Sequence, residues 1–367
     1  VFTAAEARAA GVSGSRLRAG DLTHIDRGLY AFTGGAADGA GPPVGHDSRR
    51  SRVTDPSAGG TDAPSGRTGP STDVDDPTTD HDGPPANRAA PSGGGPRIGR
   101  GAGVIREVDV IRALQRADPR AVACGLSAAR LWKLPLPLDL SVWDRHDLDS
   151  RIHMNLTGVH RLRSAQVAWR SCDLSPSDRA RQRGIVTTTR LRTFLDLADV
   201  VPRDDLVAIG DHLVRRPRPS VEGRTRPYVE ISALADAVSR YRGRGARRLR
   251  SAMTDVRVGA DSAPETALRL ALLRAGLPVP LLNTTVHESG QWLGDPDMAW
   301  TQWKVCVEYD GRHHRTRAQQ AKDIRRGERR RLAGWTELVV AAEDMKDDAA
   351  QAVDRVRSEL RRRGWEG

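Results

Sequence analysis

Between Gly34 and Gly103 the chain consists mainly of Gly, Pro, Ser, Asp and Thr, with almost no large apolar side chain. A stretch like this cannot bury enough surface to offset the entropy lost on ordering it, which predicts a disordered low-complexity insertion over 34–103. Any fold must therefore be built from the short piece before it, residues 1–33, and the long piece after it. With 367 residues in all, two or three domains are expected.

The composition narrows the partner class. Lys and Arg number 58 against 47 Asp and Glu, a net charge of +11, which favours a polyanionic partner such as nucleic acid. The competing explanation is a solvated, Arg-rich surface. Cys124, Cys172 and Cys306 show no C-x-x-C spacing and sit in apolar contexts, so they read as buried thiols in a reducing compartment, not as zinc ligands or disulfides. No run approaches a membrane span and no signal segment opens the chain, so a cytoplasmic location with no membrane partner is expected. Val1 reads as a GTG-initiated start or a trimmed end.

The front piece is strongly patterned. Thr3 to Ala10 reads as a helix, Val12-Ser13 as a turn and cap, Gly14 to Arg18 as a second helix, and His24-Ile25 with Leu29 to Phe32 as a two-stranded wing. This is winged-helix order, with Arg16, Arg18 and Arg27 placed where such modules meet DNA. A small helical cap with incidental arginines is the plainer alternative.

Residues 104–257 read as one α+β region. Helical spacing covers Val108 to Arg116 and Ala121 to Leu134, strands are predicted over Arg151 to Asn155 and Gly158 to Leu162, and an N-capped amphipathic helix follows Thr187-Thr188-Thr189 and runs to Ala198. No catalytic constellation is visible there. Ser127 lacks a nucleophile elbow, and His153, His160 and His212 lack ligand spacing.

Residues 258–367 carry the chemistry. In Val305-Cys306-Val307-Glu308-Tyr309-Asp310, a period of two puts Val305, Val307 and Tyr309 on one face of a strand and Lys304, Cys306, Glu308 and Asp310 on the other. Like charges on a half-buried strand repel and are costly to desolvate, so a cation between them is expected, and oxygen ligands favour Mg2+ or Mn2+. Asp297 lies eleven residues before Glu308 and can face it across an antiparallel hairpin if Thr301-Gln302-Trp303 forms the turn. Asp297 and Glu308 are the predicted metal pair, and Glu265, on a preceding helix, is a third candidate carboxylate. Ala318 to Leu332 reads as a helix whose Lys322, Arg325, Arg326 and Arg329 could track phosphates. Trp335 to Val340 reads as a buried strand and Asp347 to Arg363 as a closing helix.

Two resemblances follow from these residues. Residues 1–33, through Ala4 to Gly11, Val12-Ser13 and Arg27-Gly28-Leu29-Tyr30, resemble the N-terminal winged helix of AbiEi-type antitoxins of type IV toxin–antitoxin systems. The region after the insertion is similar to the next part of those proteins through Leu126 to Ala129, Val186-Thr187-Thr188 and Leu195 to Ala198. From about Ser262 the chain resembles very-short-patch-repair endonucleases of the PD-(D/E)XK superfamily. The carriers are Glu265, Arg269, Gly276-Leu277-Pro278, Asp297, Glu308-Tyr309-Asp310-Gly311, His314, Asp323, Arg326 and Gly334-Trp335. That likeness implies an α/β restriction-endonuclease-like domain, with Asp297, Glu308, Asp310, His314 and Glu265 as catalytic residues and His314 as base or proton donor. The lysine that commonly follows the superfamily's glutamate by two residues is replaced by Asp310, and Lys304 is a substitute candidate.

The overall expectation is an α+β multidomain protein: a winged helix, an α+β middle region and a C-terminal nuclease-like domain. Functionally it would be a metal-dependent DNA endonuclease in toxin–antitoxin or phage-defence biology, possessing a cognate toxin as a second candidate partner. One alternative is a non-catalytic antitoxin-like regulator that keeps a nuclease fold for binding. Another is a core acid cluster neutralised by arginines.

Overall fold

The computed structural model describes residues 1–18, 22–26, 28–32, 105–144, 150–158, 164, 166–311 and 317–367. Residues 1–33 and 104–367 form one compact unit of α+β type. The expected insertion, the predicted strand over Gly158 to Leu162 beyond its first residue, and Arg27, His160 and His314 lie outside the described residues.

The N-terminal piece opens with β1 (Phe2–Thr3) and α1 (Ala4–Ala9). Thr3 accepts from the Glu6 amide at 3.1 Å, and the Glu6 carboxylate accepts from the Thr3 amide at 2.7 Å, a reciprocal cap that fixes where the helix starts. The second helix expected over Gly14 to Arg18 is corrected to a single 3₁₀ turn, Arg16–Arg18. The Ser13 hydroxyl caps the turn by accepting from the Arg16 amide at 3.2 Å, but Leu17 is the residue it buries, too little packing to sustain so short a helix. Strands β2 (Leu22–Asp26) and β3 (Leu29–Phe32) complete an antiparallel sheet in the order β1-β3-β2. Across the insertion, α2 (Glu107–Ala117) buries Val110, Ile111 and Ala113 in a core that includes Leu29.

The middle region comprises β4 (Val122–Ala123), α3 (Gly125–Leu131), α4 (Leu138–Ser141), β5 (Ile152–Asn155), β6 (Val167–Arg170), β7 (Arg179–Gln182) and β8 (Ile185–Thr188), then α5 (Arg190–Asp196), α6 (Arg203–Val214), α7 (Pro219–Glu222), α8 (Ile231–Arg240) and α9 (Ala246–Met253). Its five strands form a mixed sheet in the order β6-β5-β4-β8-β7. The helix expected from Ala121 starts only at Gly125, because Val122–Ala123 pairs with both β5 and β8. A strand buried on both faces is uniformly apolar and mimics the edge of a helical pattern. The Thr-rich run divides as its hydroxyls suggest: Thr189 caps α5 by accepting from the Arg192 amide at 3.2 Å, while Thr187 and Thr188 belong to β8.

Gly245 precedes α9 with φ +76°, and a Cβ built there would lie 2.2 Å from the Ala198 carbonyl oxygen. Gly245→Ala is therefore expected to cost a few kcal/mol, combining left-handed backbone strain with a backbone clash. Chemical denaturation measures it, and a loss below about 0.5 kcal/mol, within the range of ordinary surface substitutions, would refute the close approach.

The C-terminal region contains α10 (Ala263–Arg274), β9 (Leu281–Leu282), β10 (Val286–Glu288), β11 (Gln291–Gly294), β12 (Met298–Trp300), β13 (Val305–Asp310), α11 (Arg317–Leu332), β14 (Thr336–Ala341) and α12 (Lys346–Arg362). Four strands form a mixed sheet in the order β14-β13-β12-β9, with β13 and β14 parallel. Val305, Val307 and Tyr309 join the core with Leu268 and Leu272 of α10 and Val356 and Leu360 of α12, while Cys306 packs in a separate cluster with Leu293, Ala299 and Trp335. The two strand faces are those read from the period of two. Helix α10 also packs on α6, where Asp211 and Arg269, each 1% exposed, form an ion pair of 2.6 Å. Among the described residues no helix is long and apolar enough to cross a membrane.

Candidate functional site

The hairpin β12–β13 builds the site. Its 3₁₀ turn Thr301–Trp303 closes through Lys304 at φ +50°, and Met298 pairs with Val307, Ala299 with Cys306 and Trp300 with Val305. Continuing that register by one residue sets Asp297 opposite Glu308, where the sequence places them. Asp297 Oδ2 accepts from the Tyr309 amide at 2.6 Å, which locks its carboxylate onto the end of the neighbouring strand.

The electrostatics at Asp297 are unusual. Burial pushes its carboxyl up, the nearby Glu265 carboxylate adds to this, and Glu308 and Asp261 raise it further against the opposing Tyr309 hydrogen bond, leaving it at about 7. Structure thus brings together Asp297, Glu308 and Glu265, with Asp261 as an acid missing from the predicted set. Glu265 itself is half structural. Its carboxylate accepts from the Asp261 amide at 2.8 Å, the Ser262 hydroxyl at 2.8 Å and the Asn283 amide group at 3.1 Å, and burial raises its own carboxyl.

Glu308 has a cation partner. Arg330, 1% exposed, pairs with Glu308 at 2.7 Å and Glu337 at 3.1 Å and donates from Nε to the Leu293 carbonyl at 2.9 Å. Arg326 pairs with Asp323 at 3.1 Å and approaches Glu308 at 3.8 Å, so it joins the edge of this network. Asp310 ends β13 opposite Ala341 and, after burial, helps raise the Tyr309 phenol. Lys304, the substitute candidate for the missing lysine, has its ammonium 2.9 Å from Glu288, to which it donates.

The remaining basic candidates divide between two places. Arg16 and Arg18 are exposed on the 3₁₀ turn flanking buried Leu17, a single turn that is too short to lay a recognition helix into a groove. Lys322, Arg325, Arg326 and Arg329 line a concavity of about 270 Å³ with Trp292. Arg329 stacks over the Trp292 ring at 5.4 Å, and that ring is 46% exposed. Trp292 is a residue the sequence reading missed. Its signal was faint, one aromatic in a polar hairpin.

His153, His212 and Ser127, set aside from sequence, have structural surroundings. The Ser127 hydroxyl donates to Glu107 at 2.5 Å and accepts from the His153 amide at 2.9 Å. Burial holds His153 down at about 3 and His212 at about 4, so both stay neutral near pH 7. Cys124 and Cys306 are buried, Cys172 is partly so, and all three are free thiols.

Two carboxylates plus an outer acid suit a hard divalent cation. Among the described residues no group of three or more His, Cys, Asp or Glu could hold a metal ion by itself. Mg2+ is commonly bound by one or two carboxylates and completes its octahedron with water and substrate phosphate, so Asp297 and Glu308 fit that donor requirement.

No family model matches the chain, and no solved structure matches it. Two proteins of Mycobacterium tuberculosis are similar to it: uncharacterized protein MT2308 of strain CDC 1551 / Oshkosh and uncharacterized protein Rv2248 of strain ATCC 25618 / H37Rv. Each is 25% identical over 280 residues, covering 74% of this chain and 94% of its own length.

Proposed function

We propose that the C-terminal region is a divalent-metal-dependent phosphodiesterase acting on DNA, with Asp297 and Glu308 as metal ligands and Glu265 as the outer carboxylate that tunes Asp297. The observation that carries this reading is the strand register that sets Asp297 opposite Glu308, with Asp297 Oδ2 held by the Tyr309 amide at 2.6 Å, where burial, Glu265, Glu308 and Asp261 push its carboxyl up. Buried like charges without a compensating ion are destabilising, and strongly perturbed acids gathered at one focus are a mark of functional sites. A bound Mg2+ or Mn2+ would neutralise phosphate charge and lower the pKa of a water. The chain's part is to hold both carboxylates on adjacent strands, with Tyr309 fixing Asp297. The winged-helix and antitoxin resemblances, a cognate toxin and a phage-defence role belong to the same proposal.

The Glu308–Arg330 pair of 2.7 Å favours a second reading, a non-catalytic DNA-binding regulator whose acids are neutralised internally. Magnesium-dependent nicking of supercoiled plasmid by the purified protein, absent in EDTA, separates the two. No nicking with either Mg2+ or Mn2+ would leave only the second.

Helix α11 offers an independent check on nucleic-acid binding. Replacing Arg325 and Arg329 by Ala is expected to weaken all sequences alike and to lower the slope of log affinity against log salt by about two, one unit per lost phosphate contact. Titrations of a duplex at several salt concentrations measure this. An unchanged slope would make the exposed face of α11 merely solvated.

A further inference from the structure

A second feature of the fold was not visible in the sequence. Where the α6–α7 connection, the segment leading into α10 and strand β9 meet, they enclose a cleft of about 750 Å³. Its charged lining is four guanidinium groups, Arg216, Arg218, Arg257 and Arg269, against two carboxylates, Asp261 and Asp295. Arg218 is already paired with Asp261 at 2.5 Å. Arg216 and Arg257 are exposed at the rim. Val258, Val279 and Leu281 give the same cleft an apolar wall and are 36%, 70% and 47% exposed.

The floor is the informative part. Arg269 is 1% exposed, its Nη2 donates to Asp211 at 2.6 Å, and its Nε and Nη1 are buried with no hydrogen-bond partner. Leaving charged donors buried and unpaired costs more than leaving neutral ones, so a guanidinium whose Nη1 is left unused on the cleft floor points to an absent acceptor. Asp211 fixes that guanidinium: it also accepts from the Arg257 amide at 2.7 Å and the Thr266 hydroxyl at 2.8 Å, which ties the rim to the floor. A charged guanidinium N–H donor suits an oxygen of a phosphate. An apolar wall beside it suits the sugar or base attached to that phosphate.

We propose that this cleft is a nucleotide subsite for a nucleic-acid strand, in which Arg269 donates from Nη1 to a phosphodiester oxygen, Arg216 and Arg257 contact flanking phosphates, and the Val258–Leu281 wall receives a sugar or base. The cleft adjoins the acid site through Asn283, which lines it and donates to Glu265 at 3.1 Å. The choice of a nucleic-acid strand over another phosphate ester rests on the proposed function; the phosphate-binding assignment itself does not.

The test is binding, kept separate from cleavage. Anisotropy of a fluorescein-labelled 12-nucleotide single-stranded DNA and a labelled duplex is titrated in EDTA with wild type, Arg216→Ala/Arg257→Ala and Arg269→Lys, each checked for an unchanged thermal melt. Arg269→Lys keeps a charge for Asp211 but loses the separate Nη1 donor. Each variant is expected to lose about tenfold in affinity, and the double variant to lower the salt slope by about two. Wild-type affinity and slope in the double variant overturn the proposal, whether or not Arg269→Lys folds. Inorganic phosphate and AMP serve as competitors. Displacement at concentrations as low as those of unlabelled oligonucleotide overturns the strand assignment and leaves a small-anion site, whereas weak, millimolar competition supports the strand. Loss of binding in the cleft variants with no plasmid nicking by wild type would retain the cleft and reject the nuclease. Nicking and binding at wild-type levels in the cleft variants would retain the nuclease and reject the cleft.

Discussion

Asp297→Asn is expected to abolish metal-dependent cleavage, by on the order of a thousandfold or more in rate, while making the protein more stable above neutral pH. Both effects follow from one carboxyl. In the folded chain Asp297 stays protonated up to about 7, because of burial, Glu265, Glu308 and Asp261, whereas an unfolded Asp ionises near its ordinary value of about 3.9. Between those two pH values the folded state holds the extra proton, so folding stability falls as pH rises through the window and stays reduced above about 7. Asn removes the penalty. The variant should match wild type near pH 4 and melt several degrees higher near pH 8, on the order of a few kcal/mol. Metal binding demands the ionised acid, so Mg2+ should raise the wild-type melting temperature near pH 8, do so less near pH 6, and leave Asp297→Asn unchanged. A variant that still cleaves would reject the site. One that gains no stability near pH 8 would reject the repulsion argument even if cleavage is lost.

The parts of this site that the sequence revealed are those that depend on local geometry. Strand parity separates Val305, Val307 and Tyr309 from Cys306 and Glu308, and the Thr301–Trp303 turn then returns Asp297 to Glu308; both follow from a repeat of two and a short connection. The parts that stayed hidden depend on partners distant along the chain. Arg330 looks from sequence like one more cation on a basic helix, yet it is the buried counter-ion of Glu308 and Glu337. Arg269 is paired with Asp211 from a helix of the preceding region, and the cleft above it is assembled from three separate connections. Val122–Ala123 was read as helix because an apolar run bounded by Gly125 has no period to distinguish strand from helix. Gly14 to Arg18 falls short of a helix because it buries little besides Leu17, and a short helix without packing is marginal, an effect that propensity alone does not resolve.

Arg330→Met is expected to cost about 3–5 kcal/mol, among the largest effects of any single change in this chain, because it strips two half-buried carboxylates of their shared buried cation and leaves Glu308 only the longer 3.8 Å approach of Arg326. The side chain is 1% exposed and holds Glu308 at 2.7 Å, Glu337 at 3.1 Å and the Leu293 carbonyl at 2.9 Å, so its loss removes a charge, a hydrogen bond and packing between α11 and the sheet together. A melting temperature lower by about ten degrees is the direct readout. Adding Glu308→Gln to the Met variant should restore part of the loss, since one of the two stranded charges goes with it, and a double-mutant cycle should give a coupling of roughly 1–3 kcal/mol. The same variants test whether Glu308 serves the pair or a metal. If Glu308 is a ligand, removing Arg330 frees its carboxylate, and saturating Mg2+ should stabilise Arg330→Met more than wild type. If Mg2+ stabilises neither protein, Glu308 works only as the partner of Arg330, and the carboxylate hairpin is a structural network rather than a metal site.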